Sequence, residues 1–347
     1  MKVVTADPRT DLVWLHLVER SPSSVFHSPN WIQVLSDTYG WKPSAHVVVD
    51  AQGEPQAGMP FFRISDALGD RIVALPFSDH CDPVVSDLET WRLLTESLEP
   101  AQCAINVRCL HNSLPLADER FALMKQAKWH GLDLRQDIEA LWRGIDDSAQ
   151  RAIRKSQREG IRVRRAQTEQ ELRTFFEMHL KVRKYKYGLL AQPFSFFQNI
   201  WRSFVQDKKA FLLLAVDGDR ILAGDLFLEW QGTLYYKFNA SVSEDLSRRP
   251  NDLLIWEAIQ HAKSSGFSSL DFGLSDWDQE GLVRYKRKFG TEEKTISFLR
   301  CALNGSSATV ESEMRDLLAK LTTRFTDRQV PDRVTERAGE DLYRLFT

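Results

Sequence analysis

Two segments of the chain share one pattern, and together they constrain its organisation more than any other feature. Residues 46–62 read HVVVDAQGEPQAGMPFF and residues 213–228 read LLAVDGDRILAGDLFL. Each is an apolar strand ending in Val-Asp, then a Gly-containing turn, then a strand carrying Ala-Gly (Ala57-Gly58 and Ala223-Gly224). Asp217-Gly218 is a strong hairpin signal, because glycine tolerates the positive φ that such turns require. Helical patterns precede each hairpin, over residues 8–20 and 29–38 in the first case and 168–187 and 193–206 in the second. A strand, a helix and another strand follow each. The spacing predicts α-α-β-β-β-α-β twice: an α/β chain with mixed sheets, doubled, whose halves meet near residue 160. Two such domains leave a cleft between them, a favoured place for a ligand.

The second half carries the densest chemistry. In residues 233–290 an aromatic strand ends at Asn239, and an Arg-rich loop leads to a helix at Pro250-Asn251-Asp252, with Asn251 or Asp252 as its cap. A further strand runs to Asp271-Phe272-Gly273, and Tyr285-Lys286-Arg287-Lys288-Phe289-Gly290 closes the block as an anchored turn. Strand ends of this kind hold side chains beside a crevice in α/β folds. Strand alternation puts Tyr236 on one face and Asn239 on the other. Arg248 and Arg249 reinforce a helix N-terminus that favours an anion. Lys286 and Lys288 project from one short segment, so at least one reaches a cleft where a fixed ammonium stabilises an oxyanion or a phosphate.

In the first half, Pro76-Phe77-Ser78-Asp79-His80-Cys81-Asp82-Pro83 packs polar groups into one loop, and is read as polar lining of a cleft rather than as a nucleophile. The basic run of residues 151–165 puts Arg151, Arg154, Lys155 and Arg158 on one helical face, which is read chiefly as a solvated surface. After Cys301 a turn at Asn304-Gly305-Ser306-Ser307 precedes a helix with Val310, Met314, Leu317, Leu318 and Leu321 on one face, and a final helix covers residues 333–346. The expected divisions are residues 1–160, 161–303 and 304–347, the last a helical tail.

The chain has 347 residues, 43% apolar and 27% charged, with a formal net charge of −2. That balance argues against a general DNA-binding surface. The N-terminus lacks the apolar core of a signal peptide, and the longest apolar runs are strand-sized, so a cytoplasmic protein without membrane insertion is expected. Cys81, Cys103, Cys109 and Cys301 form no CxxC pair and show no metal-ligand spacing with His, which reads as idle thiols and no metal site.

These pieces, in this order, resemble the FemABX-like (FemAB-related) branch of the GNAT acyltransferase superfamily over roughly residues 25–300. The carriers are LPFSDHCDPV (75–84), RAIRKSQREGIRV (151–163), YGLLAQPFSFF (187–197), PNDLLIWEAI (250–259), LDFGLSD (270–276) and GLVRYKRKFG (281–290). The resemblance implies a tandem pair of GNAT-like acyl-CoA N-acyltransferase domains and transfer of an acyl or aminoacyl group to an amine. It further implies a muropeptide, saccharide or other small-molecule acceptor, and aminoacyl-tRNA or acyl-CoA as donor with no resident cofactor. GNAT enzymes cradle the CoA pyrophosphate with a glycine-rich turn before a helix. The equivalent place here reads SRRPNDLL without glycine, which moves the expected donor toward aminoacyl-tRNA. No long heptad insertion is present to form the coiled-coil arm of some members. The expected catalytic groups are Lys286 for electrostatic stabilisation and Asp276 or Asp271 as its base-like partner. Tyr236, Asn239, Arg248, Arg249, Asn251 and Lys288 line the site in the second domain, with Asp79 and His80 from the first. An acyl-CoA-dependent N-acetyltransferase and a non-catalytic binding component stay open as alternatives.

Overall fold

The computed structural model describes residues 1–302 and 308–347. The elements follow in chain order: β1 Lys2–Ala6, α1 Leu12–Arg20, α2 Pro29–Tyr39, β2 Pro43–Val49, β3 Pro55–Asp66, β4 Gly69–Val73, α3 Leu88–Glu96 and β5 Ala104–Cys109. Next come β6 Ala122–Asp133, α4 Ile138–Gly144, α5 Asp147–Arg158, β7 Arg162–Arg165, α6 Glu169–Lys181, α7 Phe194–Ile200, β8 Ala210–Asp217, β9 Arg220–Trp230 and β10 Thr233–Ser241. The chain ends with α8 Pro250–Ser264, β11 Ser269–Ser275, α9 Glu280–Arg287, β12 Glu292–Cys301, α10 Ala308–Phe325 and α11 Asp332–Leu342. The expected α-α-β-β-β-α-β order is present twice, from α1 to β5 and from α6 to β11. The Asn304-Gly305-Ser306-Ser307 turn lies outside the described residues.

Two compact units form. The first comprises residues 1–127, 295–321 and 344–347; the second comprises 128–294 and 322–343. The first orders its strands β1-β2-β3-β4-β5-β12 and the second β7-β8-β9-β10-β11-β6. In both, the fourth and fifth strands are parallel and every other pair for which a register is recorded is antiparallel. The doubling seen in sequence is thus a doubling of topology. Each sixth strand comes from the other half of the sequence: β6 follows β5 yet pairs with β11, and β12 follows β11 yet pairs with β5.

Local chemistry explains the element ends. Gly218 takes φ 57 in the β8–β9 hairpin, as the Asp-Gly pair requires. Helix α6 opens with a reciprocal capping box between Thr168 and Glu171, continues as a π-helix over Val182–Tyr187, and stops at left-handed Gly188. Helix α8 corrects an expectation. It starts at Pro250, with Arg249 at φ 65 in the cap position and no side-chain cap. Proline in the first turn has no N–H to satisfy, so Asn251 and Asp252 are left for other work. The stretch expected as a turn at 285–287 is the last turn of α9. Its anchoring is as expected: Phe289 is buried, and Gly290 at φ 72 packs so closely that a Cβ would lie 2.9 Å from the Gly144 carbonyl oxygen.

The core of the second unit joins α4, α5 and α8 to its sheet through Leu141, Ile153, Phe227, Leu254, Ile259 and Phe272. In the first unit Trp91 of α3 packs on Met59, Ile72 and Ile105. Burial of such faces, at about 25 cal/mol per Å², drives the folding of each unit. All four cysteines are free and buried. Among the described residues no helix is long and apolar enough to cross a membrane.

Candidate functional site

In both units the parallel strand pair is short. β4 and β5 share three residue pairs, Arg71–Val73 against Ala104–Asn106, and β10 and β11 share Thr233–Tyr235 against Ser269–Asp271. Beyond these three pairs the register of the two strands ends, at the carboxyl ends where ligands bind in open α/β sheets.

The units differ here. In the first, the chain folds back onto the end of β5. Cys81 N–H donates to the Arg108 carbonyl (2.8 Å), and Asp82 Oδ1 accepts from the backbone N–H groups of Leu110, His111 and Asn112 at 2.8 Å each. His80 is buried and its Nδ1 lies 3.0 Å from Asp82 Oδ2; half-buried Asp79 precedes it. Burial alone would raise the Asp82 carboxyl, but the His80 ring and the backbone donors hold it well below the usual range. The same loop carries Leu75 and Phe77 at φ 50 and 60, a conformation such side chains seldom adopt. Cys81 is wholly buried, and burial pushes its thiol up, away from nucleophilic chemistry.

In the second unit side chains gather at the corresponding strand ends. Lys286 is buried on α9 and its Nζ donates to the carbonyls of Gly273 and Leu274, both at 2.9 Å. A bulge between Asp271 and Leu274, with Gly273 at φ 67, turns two successive carbonyls to one ammonium. Asp271 Oδ1 accepts from the Gly273 N–H at 2.6 Å and fixes that bulge. Asp276 follows β11, half-buried, with its backbone bonded to Gln279. His130 on β6 is buried and bonded to Glu293 at 3.1 Å; burial and the neighbouring Lys286 lower it to about 4, so its ring is neutral.

Beside the head of α8 lies a second polar group. Asn239 Nδ2 donates to Asp225 Oδ1 at 2.6 Å and stands 3.4 Å from Asn251 Oδ1, and Asn251 Nδ2 is 3.4 Å from Ser241 Oγ. Tyr236 packs on Phe227 and Phe272, and burial raises its hydroxyl well above the ordinary range. Asp225 is fully buried, which raises its carboxyl to about 8 against the lowering effect of Asn239. Asp252 is also buried and raised, with Lys288 and Arg249 acting in the opposite direction.

The sequence-predicted residues therefore divide into groups. Tyr236, Asn239 and Asn251 gather around Asp225, while Lys286, Asp271 and Gly273 form the β11 bulge. Arg249 is exposed at the head of α8, and half-buried Lys288 follows α9. Arg248 is turned to Glu159 (3.1 Å) and Asp217 (2.9 Å). Asp79 and His80 belong to the first unit. Sequence reasoning missed Asp225, His130 and Tyr285 as site residues. Asp225 had a signal: a carboxylate inside an otherwise apolar strand needs a reason.

Residues 147–287 match the family described as an acetyltransferase (GNAT) domain. No curated protein matches the chain. Among solved structures, FemX superposes with a TM-score of 0.66 at 15% identity, over 91% of this chain and 99% of that one. The C-terminal domain of a putative lysylphosphatidylglycerol synthetase from Agrobacterium fabrum gives 0.55 at 15% identity, over 88% and 94%. A tandem GNAT protein from the clavulanic acid biosynthesis pathway gives 0.57 at 12% identity, over 88% and 99%. The chain thus carries a stretch, residues 147–287, that matches the acetyltransferase (GNAT) domain family, and it shares its overall fold with FemX and with a tandem GNAT protein.

Proposed function

We propose that the second unit transfers an aminoacyl or acyl group to an amine, forming an amide, in cytoplasmic steps of cell-envelope, peptidoglycan or exopolysaccharide synthesis. One observation carries this reading: the pairing of β10 with β11 ends at Tyr235 and Asp271, inside the stretch that matches the GNAT family. The amine attacks the donor carbonyl, a tetrahedral oxyanion forms, and the ester or thioester bond breaks as the leaving group departs. Lys286 lends positive charge to that oxyanion from a fixed, buried position. Asp271 and Asp276 order the β11 end around it, and Asn239, Asn251, Tyr236, Arg249 and Lys288 orient the substrates. Arg248 supports Arg249 and the head of α8 through its ion pairs.

Aminoacyl-tRNA is the proposed donor, because the α8 head lacks the glycines that let a backbone wrap a pyrophosphate. A CoA donor is the second reading, favoured by the acetyltransferase character of the matched family. Incubation with charged tRNA, acetyl-CoA and UDP-linked muropeptides, followed by mass spectrometry of amide products and by melting shifts, separates them. Absence of any product or shift with all three would sink both and leave a binding component.

A further inference from the structure

The carboxyl of Asp225 is fully buried on β9, opposite Asn239 of β10, and the amide of Asn239 binds one of its two oxygens. The other oxygen meets no donor among the described residues. The hydroxyl of Tyr285 on α9 is also buried and meets no partner among them. Aromatic contacts join the elements around these two atoms. Tyr236 touches Phe272 (5.9 Å), Phe272 touches Phe289 (5.9 Å), and Phe289 touches Tyr285 (5.4 Å). Asp252 closes the group from α8, itself buried.

Two buried acceptors left open beside a second carboxyl and aromatic rings suit a particular kind of guest. An anion gains nothing from the acceptor oxygens of Asp225 and Asp252 and would keep both carboxyls from ionising. An apolar group leaves both acceptors unsatisfied, at about 1–3 kcal/mol each. A primary ammonium brings the donors that both acceptors need, and its charge is favoured by carboxylate and ring face alike.

We propose that this buried polar cluster receives the primary ammonium group of a substrate, held by Asp225 and Tyr285 and flanked by Tyr236 and Asn239. The proposal rests on the amide-forming reading above and names the chemistry that its site recognises. Two sources share that chemistry: the α-ammonium of an aminoacyl donor and the ammonium of the acceptor. The electrostatics are those of a carboxyl that a cation would stabilise. Asp225 is raised by burial, and Asn239 alone works against that rise, with no cationic side chain contributing. Asp225, Tyr187 and Asp252 add to the burial that keeps the Tyr236 proton in place, and Tyr236, Asp252 and Asp225 do the same for Tyr285. A bound ammonium would reverse this by favouring the Asp225 carboxylate.

The test is ligand-observed NMR on the full chain at pH 7.5 with three probes. L-alaninamide stands for the donor's α-ammonium, Nα-acetyl-L-lysine for an acceptor ammonium, and N-acetyl-L-alaninamide for neither. At least one ammonium probe should bind saturably, and the tighter of the two identifies the source. The neutral probe should not compete. Asp225→Asn should weaken the bound probe at least tenfold and Tyr285→Phe at least threefold. Neither variant loses a hydrogen bond of the empty fold that its replacement cannot keep, so both should melt no lower than wild type at pH 8. Failure of both ammonium probes, equal binding of the neutral probe, or unchanged affinity in Asp225→Asn would overturn the proposal. If the donor is consumed and Asp225→Asn leaves the KM of both the donor and the amine acceptor unchanged, the assignment of this cluster falls and the transferase reading stands. If the probes bind as expected and no donor is consumed, the reverse holds.

Discussion

The ammonium of Lys286 stands 2.9 Å from the carbonyl oxygen of Gly273, across the contact between α9 and β11. The lysine therefore completes the hydrogen bonding of a bulged strand, and in the proposed reaction it has a second role as a fixed positive charge. Lys286→Met should leave the Gly273 and Leu274 carbonyls unsatisfied and cost about 2–4 kcal/mol of stability, read from a denaturant midpoint. At a temperature where the variant stays folded, turnover should fall on the order of 100-fold. An unchanged midpoint would contradict the first role and unchanged turnover the second.

Asp82 should make the first unit sensitive to acid. Its folded carboxyl titrates below the unfolded value of about 4, so its contribution is complete above that pH and is lost as pH falls through the folded value. Asp82→Ala removes the acceptor of three backbone N–H groups and the His80 contact, and should cost about 3 kcal/mol at pH 7. The difference between wild type and variant should shrink on acidification. A pH-independent difference would show that ionisation plays no part.

Asp225 carries the opposite sign. Its folded value, about 8, lies above the unfolded value, so the folded state holds the extra proton between them. Stability linked to this group is complete below about pH 4 and is lost as pH rises to about 8. Asp225→Asn cannot ionise, so relative to wild type it should gain stability from pH 5 to pH 8. The ceiling is about 4 kcal/mol, at ~1.4 kcal/mol per pH unit. Parallel stability–pH curves for the two proteins would count against a neutral buried carboxyl.

Gly339 should tolerate no side chain. It lies in α11, where an added Cβ would run into the Ala191 carbonyl oxygen, and the same helix is tied to α6 by the two-pronged Arg173–Glu336 pair at 2.7 and 2.9 Å. Gly339→Ala should cost about 1–3 kcal/mol and speed proteolysis of the C-terminal helix. Glu336→Ala should give a milder change of about 1 kcal/mol. Proteolysis at the wild-type rate in Gly339→Ala would mean that the close approach is not needed.

Much of the fold was legible because it rests on local signals. Asp217-Gly218 specified a hairpin, and the helical patterns over 8–20, 29–38, 168–187 and 193–206 specified the helices that precede each hairpin. The cap of α8 was misjudged because Pro250 makes a side-chain cap unnecessary. The 285–287 stretch was misread because a turn and the end of a helix carry the same cationic residues.

The site was legible only in part. Tyr236, Asn239, Asn251 and Lys286 could be singled out because polar or charged groups at strand ends and helix heads are locally conspicuous. Asp225 lay in a strand already assigned to the core, and its meaning depends on which residue stands opposite it.

By itself, the sequence determined that the chain is doubled, that each half is a mixed α/β sheet with helices, and that residues 233–290 hold the richest chemistry. These follow from periodicity and turn chemistry, which act over a few neighbouring residues. Only the tertiary structure decided that β6 and β12 each complete the sheet of the other half's strands, that Lys286 binds β11 carbonyls, and that Asp225 lies buried with one oxygen open. Those outcomes depend on register and burial between segments far apart in the chain, and no local pattern encodes them.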